Sequence, residues 1–293
     1  MISADSKLWL IGSQGMLGRE VAEELLKTDI GFLESDREID ITDKTAVTAF
    51  LADHKVAVVI NCAAYTAVDR AEEEEDAAFR LNAAAPEILA QNAKRIGARL
   101  IHVSTDYVFN GEKDLPLAEN EPTDPLGVYG RTKRDGETAI QASGCRYDIV
   151  RTAWLYGKHG PNFVATMLRL MREKDALRVV NDQTGSPTWA NDLVKFLLAL
   201  ARQPNRNSEI YHFSNNGRIT WYDFAVAIYE EGRKRGLVGR DVKISPCGSD
   251  EYPTRATRPR YSLLSKEKIK HDFGWSAPEW RESLKKYLDS LGD

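Results

Sequence analysis

Seven residues near the start of the chain constrain it more than any other feature. Gly12-Ser13-Gln14-Gly15-Met16-Leu17-Gly18 joins a short apolar run, Lys7–Ile11, to a helical stretch, Leu17–Leu26. The glycines allow a tight turn, a close approach of backbone to an anion, and close packing of helix on strand. The N-terminus of the helix then offers amide donors. The spacing is Gly-x-x-Gly-x-x-Gly, not the more familiar Gly-x-Gly-x-x-Gly, and alone it is a weak sign of a dinucleotide site. Its position in a first strand–turn–helix unit is what gives it weight.

That unit is followed by others. Val56–Asn61 reads as a buried strand, then come helices around Ala71–Asn82 and Pro86–Ile96, a strand over Arg99–Ser104, a helix over Tyr129–Ala142 and a strand over Tyr147–Thr152. Strand–helix alternation at this spacing means right-handed crossovers and a parallel sheet covered on both faces. The expected fold is therefore α/β, a doubly wound, Rossmann-like parallel sheet with a dinucleotide-binding domain over residues 1–154. Past Trp154 the pattern loosens. Strand-like pieces (Arg178–Asn181, Ile210–Ser214, Val242–Pro246) mix with helices near Phe163–Glu173, Asn191–Arg202 and Trp221–Arg235. Residues 155–293 read as a smaller α/β substrate-binding lobe, with segments returning to the sheet. The acidic run Glu72–Asp76 reads as a solvated face near a helix N-terminus.

Composition narrows the function classes. The 293 residues carry a formal net charge of -4, which gives no global attraction to nucleic acid or anionic lipid. An anionic ligand would need a locally basic pocket. No apolar run reaches the roughly 18–20 residues of a membrane helix. The three cysteines, Cys62, Cys145 and Cys247, are far apart, and the five histidines are scattered. Neither a disulfide framework nor a metal site is expected, and a soluble cytoplasmic protein fits.

Further candidates follow the glycines in order. Ser35-Asp36-Arg37 lies where the second strand should end, about 20 residues on, where ribose is read. Asp36 suits the ribose hydroxyls of NADH, and Arg37 suits the extra phosphate of NADPH, so both cofactors remain open. Asp40-Ile41 begins a helix-capping pattern. Asn61-Cys62-Ala63-Ala64 supplies the small residues that a loop beneath a cofactor needs. Thr105 ends the Arg99–Ser104 strand, at the edge where open α/β sheets bind ligands. In Tyr129-Gly130-Arg131-Thr132-Lys133 the tyrosine and lysine share one helix face. A phenol titrates near pH 10, and a neighbouring ammonium should lower that value and make the tyrosine a useful acid or base.

The ordered set Gly12–Gly18, Thr105, Tyr129 and Lys133 resembles the extended short-chain dehydrogenase/reductases. The resemblance spans essentially the whole chain. It continues through Asn-Cys-Ala-Ala-Tyr-Thr-Ala-Val-Asp (61–69), Ser-Thr-Asp-Tyr-Val-Phe (104–109), Arg-Thr-Ala-Trp-Leu-Tyr-Gly (151–157), Asn162-Phe163, Asp182-Gln183, Pro187-Thr188 and Arg258-Pro259. It implies NAD(P)H-dependent reduction of the C4 keto group of dTDP-6-deoxy-L-lyxo-4-hexulose to dTDP-L-rhamnose. By the resemblance, Tyr129 donates a proton to the C4 oxygen with help from Lys133, and Thr105 positions the sugar. Asp106, Trp154 and Asn162 contact the substrate, and Arg258 meets the diphosphate. Gly15, Met16, Leu17, Asp40, Ile41, Ala63, Ala64, Tyr65 and Val103 fall on cofactor-contacting positions. Some members of the family carry magnesium at a dimer contact; no ligands for it map onto this chain, and a homodimer stays open.

Two rivals share the fold. Nucleotide-sugar 4,6-dehydratases place an Asp-Glu pair after the threonine, whereas here Asp106 is followed by Tyr107. The β subunit of methionine adenosyltransferase resembles the same reductases and binds NADP as a non-catalytic regulatory partner. Consumption of NADPH separates that reading from an enzyme.

Overall fold

In the computed structural model, which describes residues 6–203 and 205–291, the first strand is buried on both faces. Leu8, Trp9, Leu10 and Ile11 of β1 (Lys7–Ile11) are all buried. Alternate residues point to opposite sides of a sheet. Leu8 and Leu10 therefore pack with Leu17, Val21 and Leu25 of α1 (Met16–Leu25), while Trp9 and Ile11 pack with Val47, Leu89 and Ala93 on the other face. A strand covered on both sides reads as a continuous apolar run, as this one does.

The sheet has six parallel strands. In spatial order they are β2 (Phe32–Ser35), β1, β3 (Val56–Asn61), β4 (Arg99–Thr105), β5 (Arg146–Thr152) and a last strand, Glu209–Phe213. The order reverses between β1 and β3, which opens a crevice at the carboxyl ends of those two strands. The sixth strand comes from the second half of the chain and pairs with β5, with Ile210 opposite Ile149. The Ala190–Ala201 helix likewise packs into the core shared by β1 and α1. A separate core gathers Tyr156, Val164, Leu168, Phe224, Ile228 and Tyr287 beside the sheet. Among the described residues, no helix is long and apolar enough to cross a membrane.

Two expectations need correction. The helix expected over Ala71–Asn82 is two short ones, Val68–Ala71 and Glu75–Phe79. The second runs through a wide π turn, Arg80–Ala84, into the Ala85–Ile96 helix. Local periodicity does not reveal such a turn, which is set here by long-range bonds. Asn82 accepts from the Tyr65 backbone N–H at 2.8 Å and donates to the Thr132 hydroxyl at 3.1 Å. The acidic run is also more than a solvated face. Glu72 accepts from the Val128 N–H at 2.8 Å and so caps the helix, Val128–Ser143, that carries Tyr129. Glu73 pairs with Arg255, and Glu74 accepts from the Tyr65 hydroxyl at 2.6 Å.

Candidate active site

At the crevice between β1 and β3 lies a cleft of about 1050 Å³. One wall is the glycine turn. Gly12 has φ +76°, and a Cβ there would stand 2.8 Å from the Ala63 nitrogen. A side chain at Gly18 would stand 2.0 Å from the Gly12 carbonyl oxygen, so α1 seats on the turn only through a glycine. Gly15 is the N-cap residue of α1, and no side chain caps that end. Its amide donors are left for an anion. Gly12, Gly15, Met16, Leu17, Asp36, Arg37, Asp40, Ile41, Ala63, Ala64 and Val103 all line the cleft. This cradle of backbone donors, with an acidic and a basic residue at the end of β2, fits the pyrophosphate and ribose of a dinucleotide.

Two of the expected cofactor positions stand elsewhere. Gly18 packs α1 on the Gly12–Ser13 turn and is not part of the lining. Tyr65 also lies outside it, because its hydroxyl is drawn to Glu74.

The chemical groups converge on the opposite side. Thr105, at the end of β4, is buried, donates to Asp106 Oδ1 at 3.1 Å and accepts from the Tyr107 N–H at 3.2 Å. Tyr129 and Lys133 stand one turn apart on the Val128–Ser143 helix, and both line the cleft. That helix can come this close because residue 130 is glycine. A Cβ at Gly130 would lie 2.2 Å from the Tyr107 carbonyl oxygen. The Tyr129 ring meets the Tyr107 ring edge-on at 5.5 Å, and its phenol is hydrogen-bonded with Thr105.

The expected lowering of the tyrosine pKa by its lysine is not what this geometry produces. Burial pushes the Tyr129 phenol up to about 12, against the Thr105 hydrogen bond, which lowers it. Burial also pulls Lys133 down to about 8, opposed by Glu137 and Cys62. Its Nζ donates to the Val103 carbonyl at 2.8 Å and lies 3.0 Å from His102 Nε2. Desolvation dominates both groups, and neither counts among the neighbours that shift the other. A phenol held protonated is suited to giving a proton, not to taking one.

Of the expected substrate contacts, Asp106 and Trp154 line the cleft. Asp106 Oδ2 is buried without a hydrogen-bond partner. Burial pushes this carboxyl up to about 6, although hydrogen bonds with Ser262 first and then Thr105 oppose the rise. Trp154 is the one non-glycine among the described residues with positive φ, at 49°. Such strain in a bulky residue costs on the order of 1–3 kcal/mol and persists where the surroundings over-determine it. Here Trp221 stacks on the ring at 3.7 Å, and Gly185 leaves room for its edge.

Asn162 and Arg258 do not line the cleft. Asn162 caps the Phe163–Glu173 helix by accepting from the Ala165 N–H at 3.0 Å, and it donates to the Gly157 carbonyl at 2.9 Å. Its hydrogen-bonding capacity is spent inside the protein. Arg258 is half-buried beside Tyr107 and paired with Asp69 at 2.8 Å. A diphosphate would have to share or replace that carboxylate.

Sequence reasoning missed Trp221, Glu72, Asn82 and His102. An aromatic on an amphipathic helix or a histidine within a strand gives no local sign of what it will touch. Among the described residues, no group of three or more His, Cys, Asp or Glu is placed to hold a metal ion, and the three cysteines are free.

A family model described as "RmlD substrate binding domain" matches residues 6–292. The chain is 42% identical over 289 residues to a probable dTDP-4,6-dihydroxy-2-methyloxan-3-one 4-ketoreductase of Streptomyces antibioticus, covering 97% of this chain and 95% of that one. It is 38% identical to the dTDP-4-dehydrorhamnose reductase of Escherichia coli, with 96% and 97% covered. Among solved structures, a dTDP-4-dehydrorhamnose reductase from Clostridium acetobutylicum superposes with a TM-score of 0.92 at 41% identity, covering 98% of this chain and all of that one. The Bacillus anthracis enzyme of the same name, in complex with NADP, gives 0.92 at 33% identity, with 98% and 99% covered. Matched from one end of its described residues to the other, the chain belongs to the family described as the RmlD substrate binding domain.

Proposed function

We propose that this chain is a dTDP-4-dehydrorhamnose reductase, reducing the C4 keto group of dTDP-6-deoxy-L-lyxo-4-hexulose to give dTDP-L-rhamnose with NADPH. The observation that carries this reading is the convergence of Thr105, Tyr129 and Lys133 on a cleft whose other wall is the glycine cradle. Relatives that are 35–42% identical over nearly the whole chain, several of them named as this reductase, support it. In this division of labour, residues 1–154 hold the dinucleotide and residues 155–293 mainly the sugar nucleotide. A cytoplasmic location and a homodimer belong to the same reading.

When bound, NADPH supplies a hydride to the C4 carbon. The Gln14 N–H and the first amides of α1, from Met16 on, would hold its pyrophosphate, and Asp36 and Arg37 its adenosine ribose. Thr105 orients the C4 oxygen toward the Tyr129 phenol, which gives up its proton as that oxygen gains charge. Burial keeps Tyr129 protonated until that moment. Asp106 offers the free Oδ2 to a sugar hydroxyl, and Trp154 flanks the ring. Arg258, released from Asp69, meets the diphosphate with two N–H groups at once.

The test is loss of NADPH absorbance on mixing the purified protein with the dTDP-keto sugar. Turnover is expected; tight NADPH binding without turnover would leave the regulatory-subunit reading in its place. The keto sugar in the name of the Streptomyces antibioticus relative is the second substrate to offer, because that relative is as similar as any named reductase above.

Two further outcomes are expected. Both NADH and NADPH should support reduction, and Arg37→Ala should raise the KM for NADPH several-fold with little effect on NADH, since only NADPH carries the 2′-phosphate. Equal loss with both cofactors would free Arg37 of that role. For Asp106, the raised pKa means that the carboxylate is present above about pH 6 and lost as pH falls through that value. The KM for the sugar should therefore climb below about pH 6, and Asp106→Asn should show a high KM that is flat across the same range. An unchanged acid limb in that variant would move the titration to another group.

A further inference from the structure

Behind the cleft wall, three buried side chains stand in line: Lys133, His102 and Asn61. Asn61 ends β3 and His102 lies opposite it on β4. Both are fully buried. His102 Nε2 is 3.0 Å from Lys133 Nζ, and His102 Nδ1 is 3.1 Å from Asn61 Nδ2.

The hydrogens in this line follow from groups that have only one role. The Ala63 backbone N–H can only donate, and it lies 3.0 Å from the Asn61 side-chain oxygen. The amide therefore turns its oxygen to Ala63 and its NH₂ to His102, where Nδ1 must accept. A neutral imidazole that accepts at Nδ1 carries its hydrogen on Nε2. Burial keeps this ring neutral, with its pKa well below the ordinary 6.5. The Nε2–H is thus aimed at Lys133 Nζ. An ammonium has three donors and no acceptor, so it meets a donor there. A neutral amine instead accepts that hydrogen and still donates to the Val103 carbonyl at 2.8 Å.

We propose that Asn61 and His102 are positioning residues that, by fixing the hydrogen on Nε2, favour the neutral amine of Lys133 whenever it rests against His102, so that binding of the nicotinamide dinucleotide takes up a proton. The inference rests on the reading that this cleft binds that cofactor. The anionic phosphates and ribose oxygens of the ligand favour a charged lysine turned away from His102.

The other groups around Lys133 do not undo this. From its own helix, Tyr129 faces it as an uncharged phenol, and Glu137 favours the ammonium but is tied to Arg151 at 2.6 Å. From the end of β3, Cys62 is held as a thiol by burial, which pushes it up to about 12. The lowering of Lys133 to about 8 by burial acts in the same direction as the histidine.

The experiment is calorimetry of NADPH binding to the full chain at about pH 9, in two buffers of contrasting ionisation enthalpy, which counts protons exchanged per cofactor. That pH is above the titration of the 2′-phosphate, near 6, and between about 8 and the ordinary lysine value of 10.5. The wild-type protein should take up the larger part of one proton. In His102→Gln the side-chain amide can turn its oxygen to an ammonium, so uptake should fall by at least half. A merely structural histidine would change affinity and leave the proton count alone. Binding by the wild-type protein without proton uptake, or equal uptake in His102→Gln, overturns the inference. The wild-type count stands as a test even if the variant fails to fold. Failure of NADPH to bind at all would remove the cofactor reading and this inference together.

Discussion

Tyr129→Phe is expected to lower kcat about 10²–10⁴-fold, the usual contribution of a positioned general acid, while the fold and NADPH affinity survive. Phenylalanine keeps the ring that meets Tyr107 at 5.5 Å and removes only the hydroxyl bonded with Thr105. The phenol is pushed up to about 12 by burial, so the wild-type kcat at saturating sugar should stay flat through neutral pH and fall in alkali, as the proton to be donated is lost. Steady-state kinetics across pH, together with an NADPH titration, check both halves. A kcat close to wild type in Tyr129→Phe would take this residue out of the reaction.

The second large effect concerns stability. Arg151, on β5, and Glu137, on the helix that carries Tyr129, form an ion pair at 2.6 Å with each side chain only 3% exposed. Ser104, next to Thr105, also donates to Glu137. The pair therefore ties the catalytic helix to the strand end that presents Thr105. Arg151→Met leaves the Glu137 charge buried and unpaired, which typically costs about 3–5 kcal/mol. Denaturant unfolding should show a loss of that size. The double variant Glu137→Gln with Arg151→Met should recover part of it, because the cost lies in the orphaned charge. A loss below about 1 kcal/mol, within the range of an ordinary surface substitution or exposed ion pair, would contradict this account of the pair.

The parts of the molecule that were legible in the sequence are those written within a few residues. Gly12–Gly18 had to be a strand–turn–helix junction, and in the structure a side chain at Gly12 or Gly18 would collide with backbone. Tyr129 and Lys133, four apart, had to share a helix face, and Thr105 had to end a strand. The strands Lys7–Ile11 and Val56–Asn61 came out with the expected bounds. What could not be read depends on contacts between distant residues. Arg258 is expected to meet a diphosphate, but it is held by Asp69, 189 residues away. Asn162 looked like a sugar contact, yet a helix start claims its side chain. Glu72 looked solvated, and it caps a helix 56 residues further on. The four-residue spacing of Tyr129 and Lys133 sets a shared helix face and carries no information on burial. In the structure burial is the larger effect on both groups.

The central claim, that this cleft passes a hydride from the dinucleotide to the C4 carbon of a dTDP-keto sugar, is tested most directly by isotope transfer. NADPH carrying deuterium at the transferable position of its nicotinamide should yield dTDP-rhamnose with one deuterium at C4, as read by NMR of the product. Product without deuterium at that carbon, or label found elsewhere in the sugar, would contradict it.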